Sequence, residues 1–214
     1  LFKIIFQLLI ANNGVEKINK NQERTNKIFA AEASRPIIRK LGISIVLIIL
    51  TSIFAQMRFF LPDNPVPITF QTLGILMMGG LLGPKWGFGS SLSYVILGFI
   101  GMPLFQGGNG GFEYTTGVTG GYIIGFILAS TAVGFLINKG LHESKSIWAY
   151  FVGTSLVYIP ALVWLSLLDF SWPEEGKMLS QAVYPFVIGD VIKVIIASLL
   201  TVGIFKSNLK NFLK

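Results

Sequence analysis

The sequence of 214 residues contains no cysteine, a single histidine and few charged side chains. Without cysteine the chain forms neither a disulfide nor a thiolate metal site. The histidine, His142, lies in the charged segment NKGLHESKS, without the partners that catalysis or metal binding requires. We therefore expect no catalytic residues, no metal and no cofactor, and the chain is not predicted to be an enzyme.

A phosphate-binding loop of the G-x-x-x-x-G-K-[ST] kind is also missing. The segment GLLGPKWGFGSS at residues 80–91 has glycines and a lysine but not their required order. A transporter built on this chain would have to obtain ATP hydrolysis from other subunits.

Apolar residues, in contrast, are abundant. They make up 52% of the chain against 13% charged residues, and the mean hydropathy is +0.68. This composition is typical of an integral membrane protein. Apolar runs near the ~20 residues that span a bilayer predict six transmembrane helices in an all-α, polytopic fold. The runs cover residues 41–61, 66–82, 86–104, 121–138, 147–168 and 183–205.

The chain has a net charge of +7, and the distribution of its basic residues indicates membrane orientation rather than binding to a nucleic acid. If the N-terminus is cytoplasmic, all basic residues except Arg58, Lys177 and Lys193 fall in or beside cytoplasmic segments. Because basic residues favour the cytoplasmic side, we predict a multi-pass plasma-membrane protein with both termini in the cytoplasm. Binding of nucleic acid is not expected.

The chain is expected to have three parts. Residues 37–206 form the six-helix transmembrane domain, and residues 207–214 form a basic cytoplasmic tail. Residues 1–36 are a cytoplasmic or interfacial extension, because LFKIIFQLLIA is too short to span and is followed by a polar stretch. This extension is read as an interfacial segment or as residues foreign to the natural chain, in preference to a signal peptide.

Two segments on the predicted outer face carry polar groups suited to a ligand. In PDNPVPITFQTLG, residues 62–74, Thr69 caps the second helix and Gln71 brings an amide that lipid would leave unsatisfied. The glycine-rich loop MPLFQGGNGGFEYTTGVTGGY, residues 102–122, has Asn109 at its centre and aromatic side chains along it. Loops of this length often cover a site, so we predict an outer lid.

Asp190 and Lys193 lie inside the last apolar run, PFVIGDVIKVIIASLLTVGIF. Either charge is costly at membrane depth, so neither is expected to face lipid. At spacing i, i+3 they share one helix face in the outer half of the bundle. A ligand site is predicted there, with a purely structural ion pair as the alternative.

These motifs together resemble a family: the biotin-specific S components, the substrate-capture proteins of energy-coupling-factor vitamin transporters. PVPITFQTLG, GGNGG, TGGYIIGF and PFVIGDVIK occur in that family's order, and the resemblance covers about residues 37–205. It implies an S-component bundle that binds biotin from outside. A transmembrane coupling subunit and two cytoplasmic ATPases are the implied partners, besides the lipid membrane. A carrier for another small vitamin is the alternative.

The resemblance also implies roles for individual residues toward biotin. Asp190 would accept the ureido N–H groups, while Lys193 would donate to the ureido carbonyl or neutralise the carboxylate. Asn109, Gln71 and Thr69 would add polar contacts, and Tyr94, Phe105 and Tyr122 would pack the apolar ring. For the coupling subunit, the small residues Thr51, Ser52 and Ala55 are the candidate contact.

Overall fold

The fold was analysed in a computed structural model, which describes residues 36–207. The predicted N-terminal extension lies outside the described residues except for Pro36, and so does the basic tail except for Ser207. The chain divides into two compact units, Leu1–Leu41 and Gly42–Lys214, and of the first only residues 36–41 are described. The architecture below belongs to the second unit.

The described chain is mostly helical, as predicted. The helices are α1 (Pro36–Gln56), α2 (Gln71–Phe99), α3 (Phe112–Thr116), α4 (Gly120–Asn138), α5 (Ser146–Leu167), α6 (Met178–Ala182) and α7 (Tyr184–Lys206). Short 3-10 turns cover Gln106–Gly108 and Glu143–Lys145. Two short strands, β1 (Arg58–Phe59) and β2 (Ile68–Thr69), form an antiparallel pair in which Arg58 faces Thr69.

Four of the described helices are long and apolar enough to cross a membrane. They are Pro36–Gln56, Gly120–Asn138, Glu143–Leu167 and Met178–Lys206, the last two including short helical segments that precede α5 and α7. In α4, 61% of the apolar span is buried, whereas the spans that contain α5 and α7 are each 33% buried. The centre of the bundle is therefore α4, and α5 and α7 expose more of their surface.

The helix α2 is a hairpin rather than a straight rod. Gly83 adopts φ 78° and ψ 179°, and Pro84 follows it. Such a backbone conformation is essentially restricted to glycine. The Nε2 atom of Gln71 lies 3.0 Å from the hydroxyl oxygen of Tyr94, whereas 23 residues of straight helix would separate the two by about 35 Å. Most of the second and third apolar runs of the sequence falls on the two arms of α2.

Small residues hold the arms of α2 against α4. A Cβ atom added to Gly87 would lie 2.8 Å from the Cα atom of Gly79 in the opposite arm. A Cβ atom on Gly79 would overlap the backbone of Ser130 in α4. Only glycine permits this approach, which is the close packing expected where membrane helices meet.

Hydrogen bonds between α5 and α7 fix their relative direction. The hydroxyl groups of Ser146 and Ser198 are 2.7 Å apart, and those of Tyr150 and Thr201 are also hydrogen-bonded. Further along, the Tyr158 hydroxyl donates to Asp190. From the Ser146–Ser198 pair to the Tyr158–Asp190 pair the residue number rises in α5 and falls in α7, so the two helices are antiparallel.

Three connecting segments meet at one end of the bundle, which we call the loop end: residues 57–70, 100–119 and 168–183. Arg58 Nη1 donates to Gln106 Oε1 at 2.9 Å, joining the first segment to the second. Asn64 Nδ2 donates to the carbonyl oxygen of Gln181 at 3.0 Å, joining the first to the third. Residues of the first two segments, 57–70 and 100–119, help to line the cavity of the candidate site.

Candidate functional site: a polar cavity below the loop end

A cavity lies between α2, α4, α5 and α7, below the loop end. Its empty space is about 630 Å³, including the part that opens to solvent. The described residues that line it are Val66, Pro67, Ile68, Thr69, Gln71, Thr72, Gln106, Tyr114, Thr119, Tyr122, Ile123, Phe126, Thr154, Val157, Tyr158, Phe186, Asp190 and Lys193. Apolar walls with a few convergent polar groups are characteristic of small-molecule sites.

Asp190 and Lys193 form a buried ion pair in the wall of this cavity. The Lys193 Nζ atom lies 2.9 Å from Asp190 Oδ1, and the side chains are only 5% and 12% exposed. Pro185 lies in the first turn of α7, which begins at Tyr184, so Asp190 and Lys193 lie within the first three turns of the helix. Their i, i+3 spacing brings them onto one face. The pair is electrically neutral, which reduces the cost of placing either charge at this depth.

The second carboxylate oxygen of Asp190 is also engaged. The hydroxyl of Tyr158 on α5 donates a hydrogen bond to Asp190 Oδ2. Asp190 is thereby held from two helices, by Lys193 on its own helix and by Tyr158 on its neighbour. Sequence reasoning missed Tyr158. The available signal was the i, i+4 spacing of Thr154 and Tyr158 on a mostly apolar helix, which puts these two polar groups on one face.

Aromatic rings form the apolar wall next to this carboxylate. Tyr122 lies edge-on to Tyr158 and to Phe186, with ring centroids 6.2 Å and 6.1 Å apart. The Tyr122 hydroxyl donates to the carbonyl oxygen of Ala182 at 2.7 Å, which fixes the ring and ties α4 to the segment before α7. Such edge-to-face contacts hold the rings in a defined orientation.

Gln71 and Thr69 enter the cavity from the start of α2. The Gln71 amide donates through Nε2 to the Tyr94 hydroxyl, at 3.0 Å, and Tyr94 donates to the carbonyl oxygen of Leu104 at 2.8 Å. The side-chain carbonyl oxygen of Gln71 accepts no hydrogen bond from the described residues. Thr69 Oγ1 accepts a hydrogen bond from the Gln71 backbone N–H at 3.3 Å. The N-cap of α2 is Phe70, so Thr69, the predicted cap, lies one residue before the capping position.

Of the eight predicted ligand residues, the structure brings five to the cavity: Thr69, Gln71, Tyr122, Asp190 and Lys193. The other three lie elsewhere. Tyr94 and Phe105 are completely buried behind the lining, edge-on to each other at 5.5 Å. Asn109 is exposed at the loop end, where its Nδ2 donates to the carbonyl oxygen of Gln106 at 2.8 Å.

That these three residues contact a ligand stays a prediction, although none of them lines the cavity. Tyr94 supports Gln71 through its hydroxyl, Phe105 stacks on Tyr114 with ring centroids 5.5 Å apart, and Asn109 shapes the loop. Each acts on a lining residue or its neighbour instead of lining the cavity itself.

The glycine-rich loop contributes different side chains, Gln106, Tyr114 and Thr119. Burial raises the pKa of Tyr114 above its ordinary value, against the opposing influence of hydrogen bonds to Gln106 and Thr119 and of the Arg58 charge. Its hydroxyl consequently stays protonated and can donate a hydrogen bond at neutral pH.

Two of the three residues of the predicted coupling contact on α1 are buried. Thr51 and Ala55 are completely buried, and a Cβ atom on Gly74 would overlap the Thr51 side chain. Ser52 is half-buried and bonds the carbonyl oxygen of Ile48 at 2.9 Å. One residue after Ala55, Gln56 donates to Phe105 of the loop end. These small residues pack α1 against α2 near the loop end, not at the opposite end.

Among residues 36–207, no group of three or more histidine, cysteine, aspartate or glutamate side chains is placed to hold a metal ion. The polar chemistry of the cavity is hydrogen bonding around one ion pair.

Comparison with known proteins assigns the chain to a family. The profile of the BioY family matches residues 21–210. The chain belongs to the BioY family. A probable biotin transporter BioY of Pyrococcus horikoshii is 32% identical over 155 residues, which are 72% of this chain and 89% of the relative. The biotin transporter BioY of Thermotoga maritima is 32% identical over 146 residues, or 68% and 85% of the two chains.

A solved structure shares the BioY fold described above. It is the crystal structure of the S-component for biotin from an ECF-type ABC transporter, with a TM-score of 0.71 and 28% sequence identity. The match covers 83% of this chain and 96% of that chain. The chain is thus a membrane protein of a transporter family with the S-component fold, and not an enzyme.

Proposed function

We propose that this chain is a membrane-embedded S component that captures biotin from the outer face for uptake. The observation that carries the proposal is the buried Asp190–Lys193 pair in the wall of a cavity that opens toward the loop end. Biotin has a ureido group with two N–H donors and a carbonyl acceptor, an apolar sulfur ring and a carboxylate tail. Each part has a matching surface in or beside the cavity.

The ureido group is assigned to the polar wall. Asp190 has carboxylate lone pairs left after its bonds to Lys193 and Tyr158, and the Gln71 carbonyl oxygen is unpaired. These two acceptors suit the two ureido N–H groups. Lys193 uses one of its three ammonium donors on Asp190 and retains two, which suit the ureido carbonyl.

The placement of the ureido group determines where the bicyclic ring and the carboxylate tail of biotin lie. The ring of biotin packs against the edge-on cluster of Tyr122, Tyr158 and Phe186. The tail then extends toward Gln106, which lines the cavity and accepts a hydrogen bond from Arg58. Arg58 forms no ion pair with a carboxylate of the described residues, so we assign the tail carboxylate to Arg58 rather than to Lys193.

The membrane topology proposed for this function has six crossings. The two arms of α2 add two crossings to those of α1, α4, α5 and α7. The loop end, with Asp63, Glu113, Asp169, Glu174 and Glu175, faces outward, and the opposite end, with Lys85, Lys139 and Lys145, faces the cytoplasm. Both termini are then cytoplasmic, and the glycine-rich loop covers the outer entrance.

Energy for uptake would come from partner proteins. The sequence has no phosphate-binding loop, so ATP hydrolysis is assigned to two cytoplasmic ATPases acting through a transmembrane coupling subunit. Thr51, Ser52 and Ala55 remain the candidate contact for the coupling subunit, although Thr51 and Ala55 are buried against α2.

The proposal is tested by the small molecule that co-purifies with the detergent-solubilised protein. Mass spectrometry of the heat-released ligand, from cells grown with biotin, should identify biotin. Recovery of a different vitamin at stoichiometric amount would keep the S-component assignment and replace the substrate.

A further inference from the structure

Thr154 of α5 is a buried threonine in the wall of the cavity. Its side chain lines the cavity and its residue is 5% exposed, yet Oγ1 has no hydrogen-bond partner among the described residues. A buried hydroxyl left unpaired costs free energy unless a ligand or water satisfies it.

Other hydroxyl groups in the long helices satisfy themselves locally. Thr51, Thr131 and Ser155 each donate to the carbonyl oxygen four residues earlier in their own helix, at 2.7, 2.7 and 3.0 Å. This back-bonding is the ordinary behaviour of serine and threonine in such helices. Thr154 makes no such bond, although Ser155 beside it does.

A second unpaired hydroxyl provides a contrast. Ser130 of α4 is also buried without a partner, but it lies in the close contact between α4 and the arms of α2 and does not line the cavity. There is no room for a ligand beside Ser130. Thr154, in contrast, lines the cavity.

The register of α5 and α7 places Thr154 at the depth of Lys193. Tyr158 meets Asp190 and Ser146 meets Ser198, so Thr154, one turn from Tyr158, lies opposite the residues just after Asp190. Four residues of α5 and three of α7 advance about 6 and 4.5 Å along their axes. Thr154 and Lys193 are therefore the deepest polar donors on facing helices of one cavity.

We propose that the Thr154 hydroxyl donates a hydrogen bond to the ligand's ureido carbonyl oxygen, beside Lys193, and so is a specificity-determining residue of the site. The inference rests on the proposed function, since biotin supplies the carbonyl. Two donors on opposite helices match the two lone pairs of that oxygen. A ligand whose corresponding atom is a poor acceptor would leave the hydroxyl unpaired.

The test compares biotin with its thiourea analogue, in which sulfur replaces the ureido oxygen and is a weak acceptor. Calorimetry of the detergent-solubilised full chain measures both affinities. For Thr154→Val, which keeps the side-chain shape, the affinity for biotin should fall about tenfold or more. The affinity for the analogue should change by less than about threefold, and Thr154→Ser should stay close to wild type for both ligands. Ser155→Ala, next to it and bonded to its own helix, is the matched control and should bind as wild type.

The outcomes separate the inference from the proposed function. If the wild-type chain does not bind biotin, both are overturned. If wild type binds biotin and Thr154→Val binds it equally well, the biotin assignment stands and the role of Thr154 is overturned. An equal loss for both ligands would also overturn it, because it indicates a packing effect. If Thr154→Val does not fold, Thr154→Ala with the same two ligands decides between these outcomes.

Discussion

The hydroxyl of Tyr158 on α5 donates a hydrogen bond to Oδ2 of Asp190 on α7, while Lys193 holds Oδ1 at 2.9 Å. The carboxylate is thus oriented from two helices before a ligand arrives. Such orientation before binding lowers the entropy cost of ordering the site when the ligand binds. It also makes the affinity depend on a side chain that need not form a hydrogen bond with the ligand.

Tyr158→Phe should weaken biotin binding about tenfold, because a hydrogen bond to a charged group contributes about 1.5–3 kcal/mol and its loss frees the carboxylate. Calorimetry measures the change. In an Asp190→Asn background the same substitution should add little, since the two residues act as a unit. Fully additive losses would show that Tyr158 acts independently of Asp190.

Tyr150→Phe is the matched control for this substitution. Tyr150 is completely buried on the same helix, and its hydroxyl bonds Thr201 away from the cavity lining. Its loss should lower the melting temperature in detergent without changing the affinity of the folded protein for biotin.

The bend of α2 gives a prediction about stability. Gly83→Ala should destabilise the chain by about 1–3 kcal/mol, because a side chain there is strained at φ 78° and ψ 179°. The melting temperature of the purified protein measures this. Gly89→Ala is the control, since Gly89 lies in the same helix without positive φ and a Cβ atom there would meet nothing within 4 Å. Equal melting temperatures for the two variants would mean that no tight bend exists at Gly83.

The position of the ligand's tail is tested with biotinamide, in which a neutral amide replaces the carboxylate. Arg58→Gln should reduce the preference for biotin over biotinamide by about 1 kcal/mol, roughly fivefold, as expected for a partly solvated ion pair. Lys193→Met should weaken the binding of both ligands and leave the preference for biotin over biotinamide unchanged. Loss of the preference in Lys193→Met would assign the tail to Lys193 instead. Lys177→Gln, at the same end but paired with Glu174 at 2.7 Å, is the control.

The proposed orientation is tested in intact cells, and the absence of native cysteine simplifies the experiment. Asn109→Cys, at an exposed site of the loop end, should react with a membrane-impermeant thiol reagent. Lys139→Cys, at the exposed end of α4 near His142, should react only after the membrane is opened. The reverse pattern would invert the topology.

Much of this site could be predicted from local sequence, for physical reasons. Asp190 and Lys193 are conspicuous because a charge in an apolar run is costly, and their i, i+3 spacing fixes a shared face. The two arms of α2 were visible as separate apolar runs around Gly83 and Pro84. In each case the relevant interaction lies within a few residues along the chain.

What could not be predicted depends on contacts between helices. The i, i+4 spacing of Thr154 and Tyr158 does not show which helix they face. Only the packing of α5 against α7 brings Tyr158 to Asp190 and places Thr154 in the same cavity lining as Lys193. Phe105 lies in a glycine-rich, aromatic segment that resembles a ligand-binding loop, but its ring packs in the interior against Tyr94 and Tyr114. Small residues such as Ala55 indicate close packing without saying which helix provides the partner.

The most direct test of the central claim is calorimetry of the purified chain, without ATP or partner proteins, against biotin, riboflavin and thiamine at equal concentration. The account predicts tight binding of biotin alone. In Asp190→Asn, with a melting temperature showing that the variant is folded, the affinity should fall by about 2–5 kcal/mol, because Lys193 loses its buried partner and the ureido group loses its acceptor. Equal binding of all three vitamins, or unchanged biotin affinity in the folded Asp190→Asn variant, would contradict a biotin site built on this carboxylate.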